Sequence, residues 1–190
     1  AALKKTEAMV QGVAERSEDL VKNGPKYFVD GLKLAYNPSE SVKYNRVIAL
    51  NLILEKDPDN LSALEKRARL LAQLELYEGA LADLDHLIEL RPDDGVNYYR
   101  RAWIFVEHEM WEEARPDLER FLAGDPDESG PAKNTYAYVL ARLGEFEEAL
   151  PFVKESLTEG KGAHNLDTLG YVLVGLRRYE EAVGVYSEAL

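Results

Sequence analysis

Apolar residues along this chain recur at three- and four-residue intervals and are interrupted at regular distances by short polar turns. That spacing lines one face of a helix, not one face of a strand. In the last two thirds of the chain the pattern repeats. Leu76-Tyr77-Glu78-Gly79-Ala80-Leu81, Met110-Trp111-Glu112-Glu113-Ala114, Glu145-Phe146-Glu147-Glu148-Ala149-Leu150 and Arg178-Tyr179-Glu180-Glu181-Ala182-Val183 each place an aromatic, two small or acidic residues and then an alanine. The aromatics stand at Tyr77, Trp111, Phe146 and Tyr179, a period of about 34 residues, and two helices per such period predict a helical solenoid. Ala68, Ala102, Ala137 and Gly170 are placed to face Ala80, Ala114, Ala149 and Ala182 across each helix pair. Small residues at a crossing let ridges pack into grooves at close range. Asp57-Pro58-Asp59, Arg91-Pro92-Asp93-Asp94 and Asp125-Pro126-Asp127 read as helix stops followed by caps.

These residues resemble a tetratricopeptide repeat array. The last repeat carries Leu166, Leu169-Gly170, Leu173, Tyr179, Ala182, Tyr186 and Ala189. The first carries Leu64, Ala68, Leu71, Tyr77, Ala80, Leu84, Leu87 and Pro92, and the second Tyr98, Ala102, Phe105, Trp111, Ala114, Leu118, Phe121 and Pro126. The third carries Ala137, Leu140, Gly144, Phe146, Ala149 and Val153, with Lys161 where the closing proline would stand. The resemblance implies an all-α fold, a right-handed α-α superhelix of antiparallel helix pairs, with repeats at about 61–94, 95–129, 130–162 and 163–190.

Ahead of them, residues 25–60 read as a divergent helical pair. Its first helix would run from Tyr27 to Tyr36 and break at Asn37-Pro38; its second, capped by Ser39 or Ser41, carries Val47, Leu50, Ile53 and Leu54 on one face. In residues 1–24 the stripe Leu3, Val10, Val13, Leu20 and Val21, ended by Gly24-Pro25, predicts an N-terminal capping helix, or alternatively a dimerisation helix. The chain starts at Ala1 and stops at Leu190, inside a second helix. The expectation is therefore an ordered part of a longer protein, whose uncapped last repeat offers a face for oligomer formation.

Composition narrows the function. With Lys+Arg 23 against Asp+Glu 35 the net charge is −12, and 46% hydrophobic residues suit a folded, soluble chain. Phosphate repels so acidic a chain, so no nucleic-acid partner is expected. Cysteine is absent, which excludes disulfides and thiolate chemistry and leaves the compartment open. No apolar run reaches the ~18–20 residues of a membrane helix. The charge is also sorted. The four first helices (61–73, 95–107, 130–142, 163–175) sum to +4 and the four second helices to −12.

The resemblance implies that first helices line a concave groove and second helices form the convex back. It places Glu65, Lys66, Arg69 and Gln73, then Tyr99, Arg100, Trp103 and Glu107, then Asn134, Thr135, Tyr138 and Arg142, then His164, Asp167, Thr168 and Tyr171 toward that groove. Of these, Lys66, Arg69, Tyr99, Arg100, Trp103, Asn134, Tyr138, Arg142 and Tyr171 are the candidate partner-binding residues. Aromatic and arginine side chains dominate binding energy at interfaces. The expected role is a scaffold or adaptor that takes a peptide segment with acidic and apolar residues; self-assembly through the solenoid ends is the alternative, and below it an RNA-binding helical repeat. The Lys and Asn set with which some family members clamp a chaperone's terminal carboxylate does not recur: Glu65, Arg69, Pro131 and Thr135 stand there. No nucleotide-binding, hydrolase or metalloprotease motif occurs, and His86 with Asp83 or His108 with Glu112 supplies only two ligands each. No catalysis, metal or cofactor is expected.

Overall fold

The computed structural model describes residues 38–124, 129–160 and 162–189. The expected N-terminal cap, the helix from Tyr27 to Tyr36, the stop at Asp125-Pro126-Asp127 and Lys161 lie outside the described residues. The described residues form nine helices and no strand. They are α1 (Pro38–Leu54), α2 (Leu61–Gln73), α3 (Tyr77–Leu90), α4 (Gly95–Glu107), α5 (Trp111–Leu122), α6 (Gly130–Arg142), α7 (Phe146–Glu159), α8 (Ala163–Gly175) and α9 (Tyr179–Ala189). The helix limits agree with the sequence pattern to within two residues from α2 onward. The chain divides into two compact units, one ending at His86 and the other beginning at Leu87.

Local chemistry sets the helix ends. α1 begins at Pro38, ahead of Ser39 and Ser41, so both serines fall inside the helix instead of capping it. Proline suits a first turn because its φ is fixed and the missing N–H has no helical partner there. Asn60, not Asp59, caps α2, its side chain accepting from the Ala63 amide at 3.0 Å. Asp94 caps α4 by accepting from Val96 at 3.2 Å.

The turn inside each helix pair has one geometry. Leu76, Met110, Glu145 and Arg178 donate their amides back to the carbonyls of Leu71, Phe105, Leu140 and Leu173 at 2.8–2.9 Å. The residue just before each donor is left-handed: Glu75 (φ 59°), Glu109 (58°), Gly144 (86°) and Arg177 (60°). This is the Schellman arrangement, which satisfies terminal carbonyls at the cost of a conformation that only glycine adopts freely.

The core of the second unit gathers Ala102, Ala114, Leu118, Tyr136, Ala137, Val139, Leu140, Ala149, Val153 and Val172. The alanines at the expected crossings are buried in both units. At Gly170 even a methyl would overlap the Tyr186 ring, and at Gly175 the Phe146 ring.

A second set of positions, sixteen residues apart within each pair, varies in chemistry. In the first unit Arg67 on α2 grips Asp83 on α3, with Nε–Oδ2 at 2.8 Å and Nη2–Oδ1 at 2.6 Å, and also donates to Asn51 Oδ1 on α1 at 2.7 Å. In the second unit Arg101 on α4 grips Asp117 on α5 in the same way, at 2.8 and 2.7 Å. Tyr136 and Phe152 take these positions on α6 and α7, their rings edge to face with centroids 4.8 Å apart. Leu169 and Val185 take them on α8 and α9.

Between successive pairs of the second unit, Arg115 on α5 donates to Glu119 at 2.8 Å and to both oxygens of Glu145 at 2.8 Å, and lies 3.6 Å from Glu148. The buried Tyr136 hydroxyl donates to Glu119 Oε1 at 2.9 Å. Arg115 holds the Glu119 carboxyl below the usual range. Burial, and then the bond to Glu119, push the Tyr136 hydroxyl up to about 12. No described helix is long and apolar enough to cross a membrane.

Two predictions follow from these contacts. Arg101→Leu strands a carboxylate whose side chain is only 4% exposed and is expected to cost about 3 kcal/mol in urea unfolding. The double change Arg101→Tyr/Asp117→Phe, which copies the α6–α7 pair, should recover most of that loss. Tyr136 keeps its proton in the folded chain beyond the point, near pH 10, where an unfolded tyrosine loses it. The stability it contributes is thus intact below about pH 10 and is lost as pH rises through about 12. Ultraviolet titration should find a late-ionising tyrosine that is absent in Tyr136→Phe.

Candidate functional site

In the second unit the candidate residues come from three first helices. Tyr99 and Trp103 lie one turn apart on α4, and Asn134, Tyr138 and Arg142 lie at successive turns of α6, so each set shares a helix face. Trp103 is 45% exposed, unusual for so large an apolar side chain, and Tyr171 on α8 is 37% exposed. Tyr138 is half-buried. It meets Tyr171 at 6.3 Å and the edge of Trp111 at 5.6 Å, while Phe146 meets Tyr171 at 6.1 Å. Trp111, Tyr138, Tyr171 and Phe146 thus make a continuous aromatic chain.

Arg142 closes one side of it. Its guanidinium stands 4.6 Å from the Trp111 ring centre and 5.8 Å from that of Tyr138, and it donates to the Tyr138 hydroxyl at 3.0 Å. That hydrogen bond raises its pKa above the ordinary guanidinium value. Tyr99 is committed elsewhere, stacked on Phe121 at 4.8 Å. Arg100 donates to Asn97 Oδ1 at 3.3 Å, and Asn97, fully buried, has its Nδ2 unpartnered. Thr168 is buried, with its hydroxyl donating to the His164 carbonyl at 3.0 Å. It faces the core and not a groove.

Asn134 opens on a cleft of about 1080 Å³ bounded by the start of α6, the end of α7 and the start of α8. Its Oδ1 is buried and has no hydrogen-bond partner. Across the cleft, Asn165 is already spent, donating to Ser156 Oγ and the Gly160 carbonyl at 3.2 Å each. Glu159 accepts from the Gly130 amide and from Lys133, which hold its carboxyl below the usual range.

In the first unit Lys66 and Arg69 lie on the exposed side of α2 and border a separate cleft of about 500 Å³. Arg46 from α1 joins them there, over Ala49, Leu50 and Leu70. Sequence reasoning missed Arg46, Trp111 and Phe146. The two aromatics had been assigned wholly to the repeat pattern, and only the packing of α1 against α2 reveals the place of Arg46. Among the described residues no group of three or more His, Asp or Glu side chains could hold a metal ion. His86 instead pairs with Asp59 at 2.8 Å.

Residues 99–164 match the tetratricopeptide repeat family model. Solved structures align over much more of the chain. A crystal structure of MamA superposes with a TM-score of 0.72 at 20% identity, covering 86% of this chain and 88% of that one. MamA from Desulfovibrio magneticus RS-1 superposes with a TM-score of 0.72 at 16% identity, covering 86% and 92%. YrrB, described as a TPR protein with an unusual peptide-binding site, superposes with a TM-score of 0.65 at 22% identity, covering 74% and 73%. No curated protein matches the sequence. Residues 99–164 thus match the tetratricopeptide repeat family, and the described helices share the all-α fold of these solved structures.

Removal of Arg142 tests the aromatic chain. Arg142→Ala should lower unfolding stability by about 0.5–1 kcal/mol, the scale of an exposed cation–π contact. In a Trp103→Phe background, where Trp111 is the remaining tryptophan, its fluorescence should change with the same substitution.

Proposed function

We propose that this chain is a protein-interaction adaptor that holds a peptide segment of a partner against the first helices of its second unit. The observation that carries this reading is the open aromatic–arginine surface: Tyr171 keeps its ring in water beside Tyr138, which Arg142 grips, and Trp103 on α4 is more exposed still. Leaving such area exposed is unfavourable for a lone chain and favourable for one that covers it on binding. Asn134 adds a buried acceptor, Oδ1, that lacks a donor, and a peptide N–H has the right chemistry to supply one. Apolar side chains of the ligand meet Trp103, Tyr138 and Tyr171. Its carboxylates meet Arg100 and Arg142; in the first unit, taken by itself, Lys66 and Arg69 offer carboxylates the same chemistry. The peptide-binding site ascribed to YrrB, a protein of similar fold, supports the same reading. We assign the chain no catalytic step.

A second reading, self-association through the last repeat, draws on one specific observation. Tyr179 and Val183 on α9 are 58% and 65% exposed, whereas Phe146 and Leu150 at the same positions of α7 are packed against the core. Val183, and not its half-buried neighbour Val185, is the residue to charge. Val183→Asp should abolish any concentration-dependent mass seen by light scattering.

The adaptor reading is tested with peptides selected from a displayed library on the wild-type chain. Trp103→Ala should weaken their binding by about 2 kcal/mol, roughly thirtyfold, in calorimetry. A selection in which no peptide binds Trp103→Ala/Tyr171→Ala more weakly than wild type would overturn it.

A further inference from the structure

We infer that the first unit carries an acidic-peptide site of its own, built by Arg46, Lys66 and Arg69 over an apolar floor. The inference deepens the adaptor reading, since Lys66 and Arg69 are two of its residues; it adds Arg46 and fixes the ligand class.

Helix α2 sorts its three cations. Arg67 turns inward and is consumed by Asp83 and Asn51. Lys66 and Arg69 turn outward, and neither they nor Arg46 has a hydrogen bond or ion pair among the described residues. Glu65, one turn before Arg69, makes no ion pair with it. Four of the eight arginines of the second unit are instead held by carboxylates: Arg101 by Asp117, Arg115 by three glutamates, Arg120 by Asp93 and Arg178 by Glu181. In a chain of net charge −12, three cations without an ion-pair partner among the described residues, around one cleft that no described carboxylate lines, make a local field of the opposite sign.

Ligand chemistry follows from the walls. Guanidinium groups favour carboxylates, which they bind through paired N–H donors. Between the cations lie Ala49, Leu50 and Leu70, a floor that offers a polyanion's sugars and phosphates nothing but suits an aliphatic or aromatic side chain. The acidity of the whole chain also repels long polyanions while charging little against a short segment. The occupant is thus a peptide segment in which Asp or Glu flanks an apolar residue.

The experiment uses the full chain on an array of short peptides alternating Asp or Glu with Leu, Ile or Phe. One control series replaces the acids by Asn or Gln, another the apolar residues by Ser. Wild type should bind the acidic–apolar series over both controls and lose that binding as salt is raised. Arg46→Gln/Arg69→Gln should weaken it about tenfold, whereas Trp103→Ala/Tyr171→Ala should leave it within about twofold. If the Arg double variant loses helicity by circular dichroism, Lys66→Gln and the salt response of wild type decide instead. No preference for the acidic series, or equal binding by Arg46→Gln/Arg69→Gln, overturns the inference. Loss in the Trp103/Tyr171 variant alone overturns it too and leaves the adaptor reading standing. Displacement of the peptide by an oligonucleotide at matched charge would transfer the site to nucleic acid.

Discussion

The structure depends on how closely two helices can approach where they cross. Ala102, Ala114, Ala137 and Ala149 are wholly buried at these points, and Ala68 and Ala80 hold the same places in the first unit. At Gly170 the space is tighter still, because the Tyr186 ring occupies the volume of a side chain. Close approach brings larger residues on either side into contact, and those contacts supply the buried area that stabilises a helix too short to persist alone. A larger residue at a crossing would therefore do harm well beyond its own volume. It would part the helices and loosen every neighbour at once.

With the crossings fixed, the remaining positions are free to differ, and they do so in two ways. The positions sixteen apart have changed from ion pair to aromatic pair to aliphatic residues along the chain. Both Asp83 and Asp117 are nearly buried, so their arginines offset a desolvation cost that the Tyr136–Phe152 pair never incurs. The outward positions carry aromatics and arginines in the second unit and, in the first, cations that have no ion pair among the described residues. One packing rule thus supports two chemically distinct surfaces.

Most of the fold was legible because the crossing residues and the turn aromatics recur at a fixed interval, and periodicity is the strongest signal a single sequence holds. Helix limits followed from the same register. What escaped was anything set by contact between distant residues. The Arg67–Asp83 and Arg101–Asp117 grips could have been seen as a repeated Arg and Asp sixteen residues apart, but no local rule singles out that spacing. Left-handed Glu75, Glu109 and Arg177 were hidden because glycine, the usual marker, stands only at Gly144 among the four. The candidate surface was partly legible. The resemblance, through its groove positions, supplied Trp103, Tyr138, Arg142 and Tyr171 as candidates, but the commitment of Tyr99 to Phe121 and the burial of Thr168 depend on neighbours that sequence does not reveal.

The two families of polar contact also differ in what they bind together. The grips sixteen residues apart close within one helix pair, whereas Arg115 reaches from α5 to Glu145 and Glu148 beyond it, and Tyr136 reaches back to Glu119. A duplication or exchange that moves a whole pair would carry the first kind of contact intact. The second kind would be severed at the seam it crosses and would have to be rebuilt by later substitution. The seam between the second and third repeats therefore fits these two modules to one another, so that neither could be exchanged for another repeat without losing those contacts.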